Sequence, residues 1–171
     1  MFPLNRIADI QNKPDEFKLL EMLPAKHWTL PVSLNQPEDG EVIKVAVVDI
    51  ESTGLDVEQD EVIEFGCVTA TINLKYGVVC SVERMVSLFN QPSEPISALI
   101  TEITGITDED VKDHHLTIQQ IYDALDGVEL MIAHNAGFDR KMLDAHIARL
   151  GYPALSVPWV CSINDVPWRD L

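Results

Sequence analysis

Runs of apolar, β-branched residues in the middle of the chain predict the strands of a sheet. Three such runs cover residues 42–50, 62–74 and 78–89, and a Lys-Tyr-Gly turn at 75–77 separates the last two. Runs joined this closely predict consecutive antiparallel strands. The first run is unbroken and apolar from Val45 to Val48, which favours a central strand covered on both faces.

Helix signals and shorter apolar runs dominate the second half of the chain. Two short apolar segments predict further strands, at 128–133 and 157–161. Capping residues and apolar stripes predict the helices between them, at 97–104, from 108 onwards, at 117–125 and at 137–150. The predicted fold class is therefore α/β, with three antiparallel strands and two helix-linked strands in one mixed sheet flanked by helices.

The first 40 residues differ from the rest. A short amphipathic helix is predicted at 17–23, between Pro14 and Pro24, and the prolines and Asp-Gly pair that follow indicate an irregular connector. We expect residues 1–40 to be an N-terminal extension and residues 41–171 to form a single domain of ordinary size.

The composition of the chain argues against several classes of function. The 171 residues carry a formal net charge of −16, which argues against a protein that grips duplex DNA by broad phosphate neutralisation. No apolar run approaches the roughly 20 residues that span a bilayer, and the first residues lack the layout of a signal peptide. The three cysteines, Cys67, Cys80 and Cys161, lack metal-ligand spacing. We expect them to be reduced thiols in a cytoplasmic protein that does not contact a membrane.

Asp49 and Glu51 form the first candidate site. Side chains alternate along a strand, so both carboxylates project from one face at the end of the first predicted strand. Like charges this close repel, and a divalent cation such as Mg²⁺ or Mn²⁺ would relieve that repulsion. The alternative is that one carboxylate caps the following turn and the other is solvated.

Asp139 is a candidate third carboxylate. It falls in the first turn of the helix predicted at 137–150, on the same face as Leu143, Ile147 and other apolar residues. The side chain would therefore point inward, at the sheet edge where open α/β sheets place their sites. Asp139 is also a residue type that commonly starts a helix, where the dipole favours a carboxylate.

Three segments together resemble a known family. Residues 49–55 (DIESTGL) look like the first motif of the DEDD 3′–5′ exonucleases, and residues 134–139 (HNAGFD) like the second. Residues 99–107 (LITEITGIT) resemble the segment that links the two motifs. This superfamily includes the proofreading epsilon subunit of bacterial DNA polymerase III and ribonuclease T. The resemblance covers about residues 42–165, and three signals in order are far more specific than one.

The resemblance implies an RNase H-like fold and a metal-dependent exonuclease that releases nucleotides from the 3′ end of DNA or RNA, in proofreading or repair. It implies that Asp49 and Asp139 ligate Mg²⁺ or Mn²⁺ directly and that Glu51 completes a two-metal site, the three residues forming the catalytic set. Such a site activates a water and stabilises the leaving 3′ oxygen.

The resemblance also implies how a single-stranded or frayed 3′ end would bind. Thr53 would contact the terminal nucleotide through its backbone, and Leu55 would wedge against the base. The remaining substrate-binding residues would line the path of the strand: His134, Asn135 and Phe138. Packing at the end of the strand is an equal alternative for Phe138. A DNA polymerase subunit is an expected partner.

One family feature is absent from the 171 residues. Members carry His-x-x-x-x-Asp or Tyr-x-x-x-Asp after the last strand, and no such pattern follows residue 161. We therefore expect a domain truncated before its last helices, with little hydrolysis and uncovered apolar faces. The alternative is a catalytically impaired remnant that only binds nucleic acid or a polymerase. Neither the three other histidines of this region nor the late aspartate is expected to substitute: His114, His115, His146 and Asp165.

Overall fold

The computed structural model describes residues 30–35 and 37–166, so the helix predicted at 17–23 lies outside the described residues. Within them, six strands form one mixed sheet with helices packed against it, which confirms the predicted fold class. In chain order the elements are β1 Val32–Ser33, β2 Val42–Ser52, β3 Val62–Asn73, β4 Val78–Phe89, α1 Ala98–Thr104, α2 Asp108–Val111, α3 Ile118–Ala124, β5 Leu130–Ala133, α4 Ala136–Arg149 and β6 Trp159–Cys161.

The strand order is β1-β4-β3-β2-β5-β6. Strands β2, β3 and β4 form the predicted antiparallel meander, while β5 runs parallel to β2 and β6 parallel to β5. Strand β1 lies in the predicted extension and adds a sixth strand by pairing with Ser81 and Val82 of β4. A strand of two residues is too short to produce a periodic signal in the sequence.

The predicted capping residues start the helices. The Ser97 hydroxyl accepts a hydrogen bond from the backbone N–H of Ile100, at the start of α1. Gly105 ends α1 with a φ of 78°, a left-handed conformation that glycine adopts without strain. Helix α3 starts with a capping box in which Thr117 and Gln120 exchange hydrogen bonds. No helix in the described part of the chain is both long and apolar enough to cross a membrane.

The main core lies on one face of the sheet. Alternate β2 residues, Ala46, Val48 and Ile50, point into it together with Phe65 of β3. Helices α3 and α4 cover this face with apolar side chains that are almost fully buried, namely Ile121, Met142, Leu143 and Ile147. The core therefore fixes α4 against the central strand β2.

The opposite face of the sheet is only partly covered. Val47, Val68 and Met85 form one row across β2, β3 and β4, and Val47 is 49% exposed while Met85 is 69% exposed. The prediction that β2 is covered on both faces is therefore wrong at Val47. An unbroken apolar strand predicts burial, but it does not show whether another element packs against its second face.

A buried side chain joins the sheet to the segment before α3. Asn90, which follows β4, donates from Nδ2 to the backbone oxygen of Val62 at 2.9 Å. Its Oδ1 accepts from the backbone N–H of Leu116 at 3.1 Å. Both contacts are buried, so their loss would leave polar groups without partners.

We expect Asn90→Ala to lower the free energy of unfolding by about 2 kcal/mol, because it orphans a buried carbonyl and a buried N–H. The neighbouring side chain of Gln91 accepts from the Asp113 N–H on the exposed surface, and Gln91→Ala should cost about 0.5 kcal/mol. Urea unfolding of both variants measures the difference, and equal losses would contradict the assignment.

Candidate active site

The carboxyl end of β2 has one unpaired edge. Strand β5 pairs with β2 only as far as Val47, so the last residues of β2 have no strand on that side. Asp139 of α4 fills the gap, and its Oδ1 accepts a hydrogen bond from the backbone N–H of Ile50 at 3.1 Å. The inward orientation predicted for Asp139 is therefore present, and the side chain is only 3% exposed.

A sharp turn between β5 and α4 places Asp139. Asn135 adopts a left-handed conformation with a φ of 75°, which asparagine tolerates better than most residues. Its carbonyl accepts from the Phe138 N–H at 2.8 Å, which closes the first turn of α4. Asp139 lies four positions after Asn135, so this turn sets the point at which the carboxylate meets β2.

Burial and like charges shape the ionisation of the site. Burial raises the pKa of Asp139 to about 6, against the opposing effect of the hydrogen bond from Ile50. Burial also raises the pKa of Glu51, with further contributions from the charges of Asp49, Glu64 and Asp139. Asp49 itself is exposed on the same strand. The structure thus brings the three predicted carboxylates within electrostatic range of one another.

Glu64 is a further acidic residue of this region, and its position there was not predicted from the sequence. It lies on β3 directly opposite Glu51 of β2, where like charges destabilise a pair of strands. Its Oε1 accepts from the Ser87 hydroxyl of β4. The register between β2 and β3 places Glu64 opposite Glu51. The sequence does not predict this register, because the strands are irregular between Glu51 and Ser52.

A divalent cation fits the chemistry of this edge. None of the ion pairs formed by the described residues involves Asp49, Glu51 or Asp139, so no lysine or arginine in that part of the chain pairs with these three carboxylates. Carboxylate oxygens are ligands that Mg²⁺ and Mn²⁺ prefer. However, across residues 30–35 and 37–166 no three acidic, histidine or cysteine side chains are grouped tightly enough to enclose a metal ion. Binding would therefore require these side chains to rotate towards a common point.

An apolar cavity of about 430 Å³ opens beside Glu51. Thr53, Leu55 and Phe138, three of the predicted substrate-binding residues, line it. Helix α1 supplies the opposite wall through Leu99, Ile100 and Ile103. This helix was predicted at 97–104 and resembles a family segment, but no role in the site was predicted for it. Its signal was present nonetheless, since Leu99 and Ile103 are large apolar residues that an isolated surface helix would not expose.

His134 and Asn135 lie outside the cavity lining. Both are exposed in the turn between β5 and α4. The His134 Nδ1 lies 2.9 Å from the Ser162 hydroxyl, which holds the ring beside the end of β6. Its positive form would lower the pKa of Asp139, so it belongs to the electrostatic environment of the site.

The residues expected not to replace the absent motif have other contacts. His146 is buried on α4, where its Nε2 lies 2.9 Å from the Leu116 carbonyl and burial lowers its pKa. His114 and His115 are exposed, and the ring of His114 makes an edge contact with Phe89. Asp165 accepts from the Cys161 N–H at 2.7 Å and so caps the end of β6.

The raised pKa of Asp139 predicts a pH-dependent stability. Below its ordinary value of 3.8 the carboxyl is protonated in both the folded and the unfolded chain. As the pH rises through 3.8 towards about 6, the unfolded chain loses this proton first, so the free energy of unfolding falls. We therefore expect Asp139→Asn to be more stable than wild type by about 1–3 kcal/mol at pH 7.5 without metal. This gain should shrink towards zero at pH 4.

Chemical denaturation in a chelating buffer at several pH values measures this effect. Asp126→Asn, which neutralises an exposed aspartate, serves as the matched control and should show no such trend. A gain in Asp139→Asn that is constant between pH 4 and pH 7.5 would contradict the raised pKa.

A family model and several related proteins indicate the same family for this chain. A family model described as exonuclease (RNase_T) matches residues 46–166, more than half of the chain. The DNA polymerase III PolC-type of Streptococcus pneumoniae serotype 2 is 30% identical over 138 residues, covering 79% of this chain and 9% of that protein. The corresponding protein of Bacillus subtilis is 34% identical over 106 residues, covering 61% of this chain and 7% of that protein. The chain thus spans less than a tenth of the length of these relatives.

Solved structures share the fold. E. coli exonuclease I in complex with a 5cy-dA13 oligonucleotide superposes with a TM-score of 0.56 at 13% identity, over 70% of this chain and 28% of that chain. The apo form of exonuclease I gives a TM-score of 0.57 at the same identity, over 70% of this chain and 29% of that chain. The mixed sheet is therefore the RNase H-like sheet of these nucleases. With the family match over residues 46–166, the chain belongs to the RNase_T exonuclease family, the DEDD 3′–5′ exonucleases.

Proposed function

We propose that residues 41–171 form a 3′–5′ exonuclease domain that removes nucleotides from the 3′ end of DNA, in proofreading or repair. The observation that carries the proposal is the apolar cavity beside Glu51, at the edge where Asp49 and Asp139 also lie. Its volume of about 430 Å³ lies within the range of small-ligand pockets. The PolC-type polymerases and the oligonucleotide complex of exonuclease I support a DNA substrate.

Asp49, Glu51 and Asp139 are the proposed catalytic and metal-binding residues. Exonucleases of this type use divalent metal ions, and we propose Mg²⁺ or Mn²⁺ in a two-metal site. When bound, the ions would supply an activated water and stabilise the leaving 3′ oxygen. The burial of Asp139 keeps bulk water away from one ligand, and the exposed Asp49 leaves the site open to a phosphodiester.

The cavity would hold the terminal nucleotide. Leu55, which is 82% exposed, would pack against the terminal base, and Phe138 faces the same space from α4. The Thr53 hydroxyl already donates to Asp60 and accepts from the Glu61 N–H. The Thr53 N–H donates to the Glu61 carbonyl, so the backbone contact of Thr53 with the nucleotide would be made by its carbonyl. His134 and Asn135, exposed outside the cavity, would follow the path of the preceding nucleotides.

The net charge of −16 fits an enzyme that holds one end of a strand and leaves the wider DNA grip to another protein. We propose that this partner is a DNA polymerase, because the curated relatives are polymerases of which the match covers less than a tenth. The three cysteines are free and buried, in keeping with the reducing environment of the cytoplasm.

A second candidate function is binding without hydrolysis. The observation that favours it is that no three ligand side chains are grouped for a metal within the described residues. A single assay separates the two candidates, because hydrolysis and strand binding are measured on the same labelled oligomer.

The assay follows a 5′-labelled single strand with Mn²⁺ and with Mg²⁺, in DNA and RNA versions. For an exonuclease, we expect the DNA to shorten stepwise from its 3′ end and a 3′-terminal phosphorothioate to slow the first step. Asp49→Asn should reduce the rate at least about 100-fold, because it removes a charged ligand of the metal site. Binding without any shortening would support the second candidate. If the strand is neither bound nor shortened, both candidate functions are excluded.

Leu55 provides a separate test of the cavity. We expect Leu55→Ala to weaken binding of a single-stranded 3′ end about tenfold, since a base that packs on an apolar side chain gains roughly 1–3 kcal/mol. Leu74 is also exposed but lies at the turn between β3 and β4, and Leu74→Ala should leave the affinity unchanged. Equal affinities for both variants in a fluorescence titration would contradict the proposed cavity.

A further inference from the structure

Hydrogen bonds, together with the packing of Val57 against the main core, hold the segment that carries Leu55. We name residues 53–61 the cavity loop; it connects β2 to β3, and Thr53, Gly54 and Leu55 line the cavity. Leu55 is too exposed to be held by packing. The position of this wall must therefore come from the contacts made by the rest of the loop.

One carboxylate holds both ends of the wall. The Oδ1 of Asp60 accepts from the Thr53 hydroxyl at 3.0 Å, and its Oδ2 accepts from the Asp56 N–H at 2.8 Å. These two partners flank Gly54 and Leu55 in the chain. A β-carbon at position 54 would stand 2.4 Å from Asp60 Oδ2, so the carboxylate packs directly beneath a residue that has no side chain.

An arginine ties the same loop to α4. Arg149, the last residue of α4, donates from Nη1 to the Asp60 carbonyl at 2.7 Å and from Nη2 to the Val57 carbonyl at 2.8 Å. Val57 also packs against the main core. Since α4 carries Asp139 in its first turn, the loop and the buried carboxylate are fixed to one rigid element.

We propose that Asp60 is a positioning residue that places Thr53 and Leu55 for the 3′-terminal nucleotide. Arg149 fixes the cavity loop to the end of α4 through its two hydrogen bonds. This inference rests on the proposed function, because it assigns the loop to the nucleotide cavity. Neither residue touches the nucleotide. Each acts by limiting the freedom of the wall before the nucleotide arrives, so less ordering is needed on binding.

The test uses the full 171-residue chain with Mn²⁺ and thymidine 5′-monophosphate as the probe. Calorimetry should show that Asp60→Ala weakens nucleotide affinity about tenfold and leaves Mn²⁺ affinity unchanged. Asp60→Asn should stay within about threefold of wild type, because its amide can still accept from the Asp56 N–H and donate to the Thr53 oxygen. Hydrogen exchange at residues 53–61 should become faster in Asp60→Ala but not in Asp60→Asn.

Arg149→Met should weaken nucleotide affinity about threefold, since it removes two hydrogen bonds to the loop and keeps the aliphatic stem. Lys112→Met is the matched control, because Lys112 pairs with exposed Glu109 on α2 and should have no effect on the nucleotide. Melting temperatures of all variants separate a positioning effect from general instability.

Each outcome has one meaning. Faster exchange in Asp60→Ala with nucleotide affinity within twofold of wild type overturns the positioning role and leaves the proposed function standing. An affinity loss that Asp60→Asn fails to rescue, in step with a lower melting temperature, also overturns it. Failure of the wild-type chain to bind thymidine monophosphate with Mn²⁺ counts against the proposed function itself, and the inference falls with it.

Discussion

The hydrogen bond between the Ile50 N–H and the Asp139 carboxylate is the interaction on which the site depends. It forms because β5 stops pairing with β2 after Val47, which leaves an open strand edge for α4 to fill. Filling that edge with a carboxylate buries a negative charge near two others, and burial raises the pKa of Asp139 to about 6. A fold that keeps so costly an arrangement gains something other than stability from it, which is the usual mark of a functional site.

Much of the fold follows from local patterns. The apolar runs and capping residues predicted β2 to β6 and the helices, because each of these features acts over only a few residues. Strand β1 was not predicted, since its two residues take their conformation from pairing with the edge of β4. The exposure of the Val47 side chain was not predicted either. Whether a second layer covers a sheet is a property of distant elements, and no local pattern of one strand contains it.

The candidate site also combines features that local patterns predict with features that depend on the tertiary structure. Strand alternation and helix periodicity placed Asp49, Glu51 and Asp139 at one edge, where their charges do influence one another. Two other features depend on tertiary register: the position of Glu64 opposite Glu51 and the wall supplied by Leu99 and Ile103. The side-chain rotation that the proposed metal site requires could also not be predicted from the sequence, because rotamers depend on the charge that is bound.

Helix α4 unites the two halves of the site. Its first turn places Asp139 on β2, and its last residue, Arg149, holds the loop that forms the cavity wall. The inner face between them is fully buried and packs against the sheet. The distance from carboxylate to cavity wall is thus set by core packing along the helix. A core substitution that shifts α4 would move both parts together, so the site can be lost without changing any residue that touches substrate.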